Sequence, residues 1–125
     1  MSAPAAAAQL AYRQQSVLTA TPAQLVVMLY DGCVRFLRQG AAAMRDGGRR
    51  QADERLRRAE AILDELLVTL DAEAGGEIAS RLQGIYSFSR RRLLEARREQ
   101  DADAVDGVAG MLLELRTAWA EVAAA

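Results

Sequence analysis

The stretch RRQADERLRRAEAILDELLVTLD, from Arg49 to Asp71, decides the fold. Its apolar residues Ala52, Leu56, Ala59, Leu63, Leu66 and Leu70 recur every three to four positions, the period of one helix face, while Asp53, Glu54, Arg57 and Asp64 face out. A strand would alternate at every second residue, and a membrane span would be apolar all round. The segment is therefore an amphipathic helix that needs partners to cover its stripe.

Three such partners flank it. Upstream, Thr21-Pro22-Ala23-Gln24 combines a capping hydroxyl, a proline at the first helical position and a glutamine three residues after the cap, which is a capping box. The helix it opens carries Val26, Leu29, Cys33, Leu37, Gly40 and Met44 inward and ends at Asp46-Gly47-Gly48, where glycine takes a left-handed conformation. Gly40, on the inner face, lets a neighbouring backbone come close. Downstream, Gly75-Gly76 ends the Arg49 to Asp71 element, and Glu77 opens a third helix with the stripe Ile78, Leu82, Ile85, Ser89, Leu93 and Ala96. Glu99-Gln100-Asp101 marks the last corner, with Asp101 or Asp103 as cap. The fourth helix carries Val105, Val108, Leu112, Leu115, Trp119 and Val122; Gly107 and Gly110 cost it about 1 kcal/mol each relative to Ala, so packing must compensate.

Helices of about 21 to 24 residues are roughly 32 to 36 Å long and match one another. Breaks of a few residues cannot carry the chain back along a helix, so consecutive helices run antiparallel. The expected fold is all-α: an up-down-up-down four-helix bundle over residues 21–125, preceded by a flexible arm over residues 1–20, which is Ala-rich and has no sustained stripe.

The chemistry that composition excludes is extensive. There is no histidine among the 125 residues and no Glu on the expected inner faces, so neither a carboxylate-bridged metal centre nor a His-based nucleophile can be assembled. No metal, cofactor or enzymatic activity is expected. Cys33 excludes an intramolecular disulfide and reads as core packing; Ser89 reads as a small residue bonded to the carbonyl one turn back. A net charge of −1 argues against nucleic acid and anionic lipid as partners. No segment has the 20 or so consecutive apolar residues of a membrane span, and the N-terminus lacks the basic start and apolar run of a signal peptide.

Binding is what remains. Met28, Val68 and Leu113 fall well off the inner faces and are expected on the surface. Ala102, Ala109, Leu113 and Ala120 form a second, weaker stripe on the fourth helix, a shallow lane for another chain's apolar residues. Tyr86 and Phe88 flank the third helix's inner face and either border such a lane or edge the core. Arg90-Arg91-Arg92 with Arg97-Arg98 is the one basic cluster, a solvated surface or a contact for an acidic protein.

The run Tyr12-Arg13-Gln14-Gln15-Ser16-Val17, then Thr19 to Gly32 with its Met28-Leu29-Tyr30-Asp31-Gly32 tract, resembles the opening of the FliS family of flagellin secretion chaperones. Leu82-Gln83-Gly84-Ile85-Tyr86 and Leu112-Leu113-Glu114-Leu115-Arg116-Thr117-Ala118-Trp119 are similar to that family's third and fourth helices, and the likeness spans about Tyr12 to Val122. The resemblance implies a cytoplasmic bacterial protein whose helical bundle binds the disordered C-terminal segment of flagellin. That binding keeps flagellin unpolymerised and assists its delivery to the export gate of the flagellar type III system. It also implies that an arm containing Tyr12 and Val17 can lie over part of the binding surface, next to a helix start containing Leu25. Client or arm contacts are thus expected from Tyr12, Val17, Leu25, Met28, Val68, Tyr86 and Leu113. The competing expectation is a self-associating structural bundle, or a general adaptor without a flagellin client.

Overall fold

The computed structural model describes residues 19–70 and 72–124, apart from the side chains of 72–75. Residues of the expected arm up to position 18, Tyr12 and Val17 among them, lie outside the described residues, as does Asp71. Four helices follow one another: α1 (Pro22–Arg45), α2 (Arg49–Thr69), α3 (Ala72–Glu99) and α4 (Ala102–Ala124). Both α1 and α3 pack against α2 and α4, which makes a closed ring with α1 and α3 on a diagonal. Ion pairs record the antiparallel order. Along the α1–α4 seam, Arg45 meets Asp103 and Asp106, Arg38 meets Asp106, and Arg116 meets Asp31. Along the α2–α3 seam, Arg90 meets Asp64, and Arg97 meets Glu60 and Asp53. The protein is an all-α four-helix bundle.

Local chemistry sets the boundaries. The Thr21 hydroxyl accepts from the Gln24 amide at 3.2 Å, and the Gln24 side chain accepts from the Thr21 amide at 2.9 Å, so both arms of the capping box form. After Arg45 the chain turns at Gly47, whose φ of 76° suits glycine, and the Gly48 amide closes onto the Ala43 carbonyl at 2.8 Å. Between α3 and α4 it is Asp101, not Asp103, that caps, accepting from the Ala104 amide at 3.0 Å. α2 ends at Thr69, two residues before the expected Asp71, because Leu70 is already extended with ψ 120°. α3 starts at Ala72 but breaks at Gly76, where φ is 54° and ψ −128°, so its continuous run opens at Glu77 as expected.

The stripes close over one core. Leu37, Leu56, Leu63, Leu93, Val105 and Leu112 have no exposed surface. Ser89 donates to the Ile85 carbonyl at 2.8 Å, which satisfies a hydroxyl that is wholly buried. Cys33 is buried with its thiol directed at the Ala59 carbonyl, 3.6 Å away. Burial pushes that thiol up from 9.0 to about 12, so it stays protonated and unreactive at neutral pH. Helix α1 sits close to its neighbours because its inward positions are small. A Cβ on Gly40 would lie 3.2 Å from Leu56 Cδ2, and one on Gly32 would lie 3.3 Å from Ile62 Cδ1.

Several expectations are corrected. Ala102 and Ala109 do not floor an open lane; they are 9% and 0% exposed and belong to the core. Ile78 and Val122, assigned to inner stripes, are 70% and 60% exposed, since both lie where the helices run past the last layer of packing. Gly107 and Gly110 face open space, where a Cβ would meet nothing within 4 Å, and the helix's packing comes instead from Val105, Val108, Ala109 and Leu112. Asp53, placed outward, is half-buried beside Arg97.

Candidate functional site

The four helices close one end of the bundle and leave the other open. At the open end α1 and the continuous part of α3 begin and α2 and α4 finish, and there an apolar cavity of about 630 Å³ opens to solvent. Leu25, Val26, Met28 and Leu29 form its α1 wall, Leu66 and Leu70 its α2 wall, and Tyr86 and Trp119 complete it from α3 and α4. Pro22, Glu65 and Thr69 also line it. A shallower groove continues outward between α1 and α4, where Val27 and Met28 face Ala120, Ala123 and Ala124.

The reason for the opening lies in side-chain size. Ala and Gly bring α1 near α2 and α4 in the lower bundle, whereas this end carries two tyrosines and the only tryptophan. Tyr30 on α1 and Tyr86 on α3 meet across the diagonal, hydroxyl to hydroxyl, with ring centroids 6.2 Å apart and planes tilted by 53°. Burial pushes the Tyr30 phenol above its usual range, against the opposing pull of Tyr86 and Trp119; burial, then the bond to Tyr30, raises Tyr86 as well. Both phenols are therefore neutral at physiological pH.

This end of the bundle also exposes apolar residues, of which Leu25 belongs to the cavity wall. Leu25, Val68 and Ile78 are exposed large hydrophobes on the α1, α2 and α3 segments at this end, and Val122 is another on α4. Such a concave apolar site with few polar groups is made to hold apolar side chains of a ligand. Among the described residues no group of three or more His, Cys, Asp or Glu is arranged to hold a metal, and no helix is long and apolar enough to cross a membrane.

The expected contact residues divide. Leu25 is exposed on the rim and lines the cavity, and Val68 is 79% exposed one residue from the lining Thr69. Met28 was placed on the surface but is half-buried, because it lies between the cavity and the groove against the end of α4. Tyr86 is 1% exposed: it is the cavity's buried back wall and not an edge residue. Leu113 is 43% exposed and does not line the cavity. Residues that sequence reading assigned to the core also line the site: Leu66 is in the core cluster, and Val26, Leu29, Leu70 and Trp119 pack against it. Their stripe gave no sign of this, because a stripe specifies the inward face and not how tightly the ring closes on it.

Comparison with known proteins gives the family of this chain. The family model described as flagellar protein FliS matches residues 4–125. The chain is 36% identical to a flagellar secretion chaperone FliS of Bacillus subtilis over 109 residues, which cover 87% of this chain and 80% of the relative. It is 36% identical to the flagellar secretion chaperone FliS of Salmonella typhimurium over 110 residues, covering 87% and 82%. With the flagellar secretion chaperone FliSB of Pseudomonas aeruginosa the identity is 34% over 109 residues, covering 85% and 84%. A four-helix bundle with an apolar cavity at one end, matched over nearly its whole length by these relatives, belongs to the FliS family of flagellar proteins.

Proposed function

We propose that this chain is a cytoplasmic, non-enzymatic export chaperone. It binds the disordered C-terminal segment of flagellin, prevents premature polymerisation and helps deliver flagellin to the type III export gate. The observation that carries this reading is the apolar cavity, with Leu25 exposed on its wall, at an end of the bundle where Val68 and Ile78 are also exposed. Polymer-forming segments are amphipathic, and a chaperone must cover their apolar faces yet let them go. Coupled folding suits that task, since the cost of ordering the client subtracts from the contact energy. Each leucine- or phenylalanine-sized side chain seated in the cavity contributes about 1.5 to 3 kcal/mol, so two or three anchors suffice for stable but reversible capture.

The expected arm, residues 1–20 with Tyr12 and Val17, runs into the bundle at Thr21, beside the lining residues Pro22 and Leu25. We infer that it competes with the client for this end. Leu113 has no part in the cavity and serves as the control position. Titration of the chain with full-length flagellin and with flagellin lacking its C-terminal segment tests the reading. Binding of the full-length protein alone is expected; equal binding of both would contradict it.

A further inference from the structure

Charge divides along the bundle axis, and the division points to a second surface. Cutting each helix at its midpoint and leaving aside the 71–76 corner, the half away from the cavity carries thirteen arginines against eight acids. The cavity half carries two arginines against seven acids. The net charge of −1 thus hides two opposed fields. Six of those thirteen arginines, Arg38, Arg45, Arg58, Arg90, Arg92 and Arg97, bridge to carboxylates. Arg49, Arg50 and Arg57 on α2 and Arg91 and Arg98 on α3 are exposed and have no ion pair among the described residues.

Two of the free arginines, Arg91 and Arg98, and two of the paired ones, Arg90 and Arg97, flank an apolar residue. Leu94 is 47% exposed, and its four helical neighbours at i−4, i−3, i+3 and i+4 are Arg90, Arg91, Arg97 and Arg98. The Arg90–Asp64 and Arg97–Glu60 pairs fix the α2–α3 seam. Helical geometry then puts Leu94 and Arg98 just outside that seam on α3, and Arg50 and Arg57 just outside it on α2. The result is one face with a leucine set among guanidinium groups.

We propose that this face docks an acidic segment of a partner protein, one whose carboxylates flank a leucine-sized apolar residue. Charge complementarity selects the partner. Guanidinium forks match carboxylates and remain less hydrated than ammonium groups, which suits an interface that also buries Leu94. A phosphate polymer fits less well, since Asp53 and Glu54 lie in the same depression as Arg49, Arg50 and Arg57 and interrupt the row of positive charge. Arg98 is twelve residues from Tyr86 on α3, about 18 Å along the axis, so the partner and a cavity-bound client can be held together. This surface is independent of the function proposed above.

The test uses the full chain and a fluorescent 14-residue peptide of alternating Glu and Asp with one central leucine, followed by anisotropy. Binding is expected to weaken about tenfold in the Arg91→Glu/Arg98→Glu double variant and about threefold in Leu94→Ser, and to weaken further with salt. The peptide with serine in place of leucine should bind the wild type no better than the original peptide binds Leu94→Ser. Circular dichroism should show unchanged melting, and Arg91→Gln/Arg98→Gln gives the same reading should the charge reversal unfold the chain. Flagellin binding at the other end should not move. Equal affinity of the leucine and serine peptides, or indifference to the arginine changes, overturns the proposal. So does binding of a 14-nucleotide single strand or of phosphatidylserine vesicles where the peptide fails. A mass that rises with concentration and falls to monomer in the double variant would hand the face to a second copy and overturn it too.

Discussion

The two ends of the bundle solve opposite problems with the same helices. At the closed end the chain turns through Gly47 and through Gln100, whose φ is also positive; backbone bonds hold both turns, and Asp101 caps the helix after the second. Arg45 then ties α1 to Asp103 and Asp106 at the start of α4, both at 2.8 Å. At the open end α1 has its own cap at Thr21, but α2 unwinds at Leu70, and the apolar residues Val68, Ile78 and Val122 continue past the core into solvent. The lesson is that polar caps and ion pairs decide where a bundle ends, and an apolar stripe that outruns them becomes a binding surface.

Alkali attacks the neutral core harder than the ion-paired end. Cys33, Tyr30 and Tyr86 are all raised, so they stabilise the fold fully below their unfolded values and lose that contribution as pH climbs towards the folded ones. For Cys33 the window runs from 9.0 to about 12 and is worth up to about 4 kcal/mol. Denaturant melts at pH 8 and pH 11 should show wild type losing more stability than Cys33→Ala, and equal losses would show the thiol is not the buried group described. Next in size, Leu25→Asp with Val68→Asp should weaken flagellin binding about 100-fold, roughly 2.7 kcal/mol, without lowering Tm, because both residues are exposed. Leu113→Asp should leave binding and the mass in solution unchanged.

Glycines sharpen the contrast within the stack. Gly40→Val should cost about 1 to 3 kcal/mol, because even a Cβ there lies 3.2 Å from Leu56 Cδ2. Gly107→Ala faces open space and should raise stability by up to about 1 kcal/mol. Thermal melts of the two variants should move in opposite directions. Smallest are the caps: Asp101→Ala at the closed end and Thr21→Ala at the open end should each cost about 1 kcal/mol. Only the second should also alter flagellin binding, since Thr21 precedes Pro22 and Leu25 on the cavity wall.

The ring of helices was legible because its signals are local. Leu56, Leu63 and Leu66 repeat with helical period, the Thr21 capping box is complete within four residues, and the corner at Gly47 needs no distant partner. The cavity was only half legible, because closure depends on what stands across the bundle. Tyr86 reads as an edge residue until Tyr30 is found opposite it, and Met28 reads as exposed until the end of α4 is placed beside it. Ala102 and Ala109 looked like an open lane for the same reason, although α1 already occupies their side of α4. Ile78 and Val122 fit their stripes well, but periodicity carries no information about where the partner helices stop.

Hydrogen exchange with and without a synthetic flagellin C-terminal peptide tests the central claim most directly, as it reads every backbone amide at once. Exchange should slow at residues 22–30, 64–70 and 115–122 around the cavity and stay unchanged at the corners 45–50 and 99–104. Protection confined to those corners, or found nowhere, would contradict an account in which the open end is the one that receives the client.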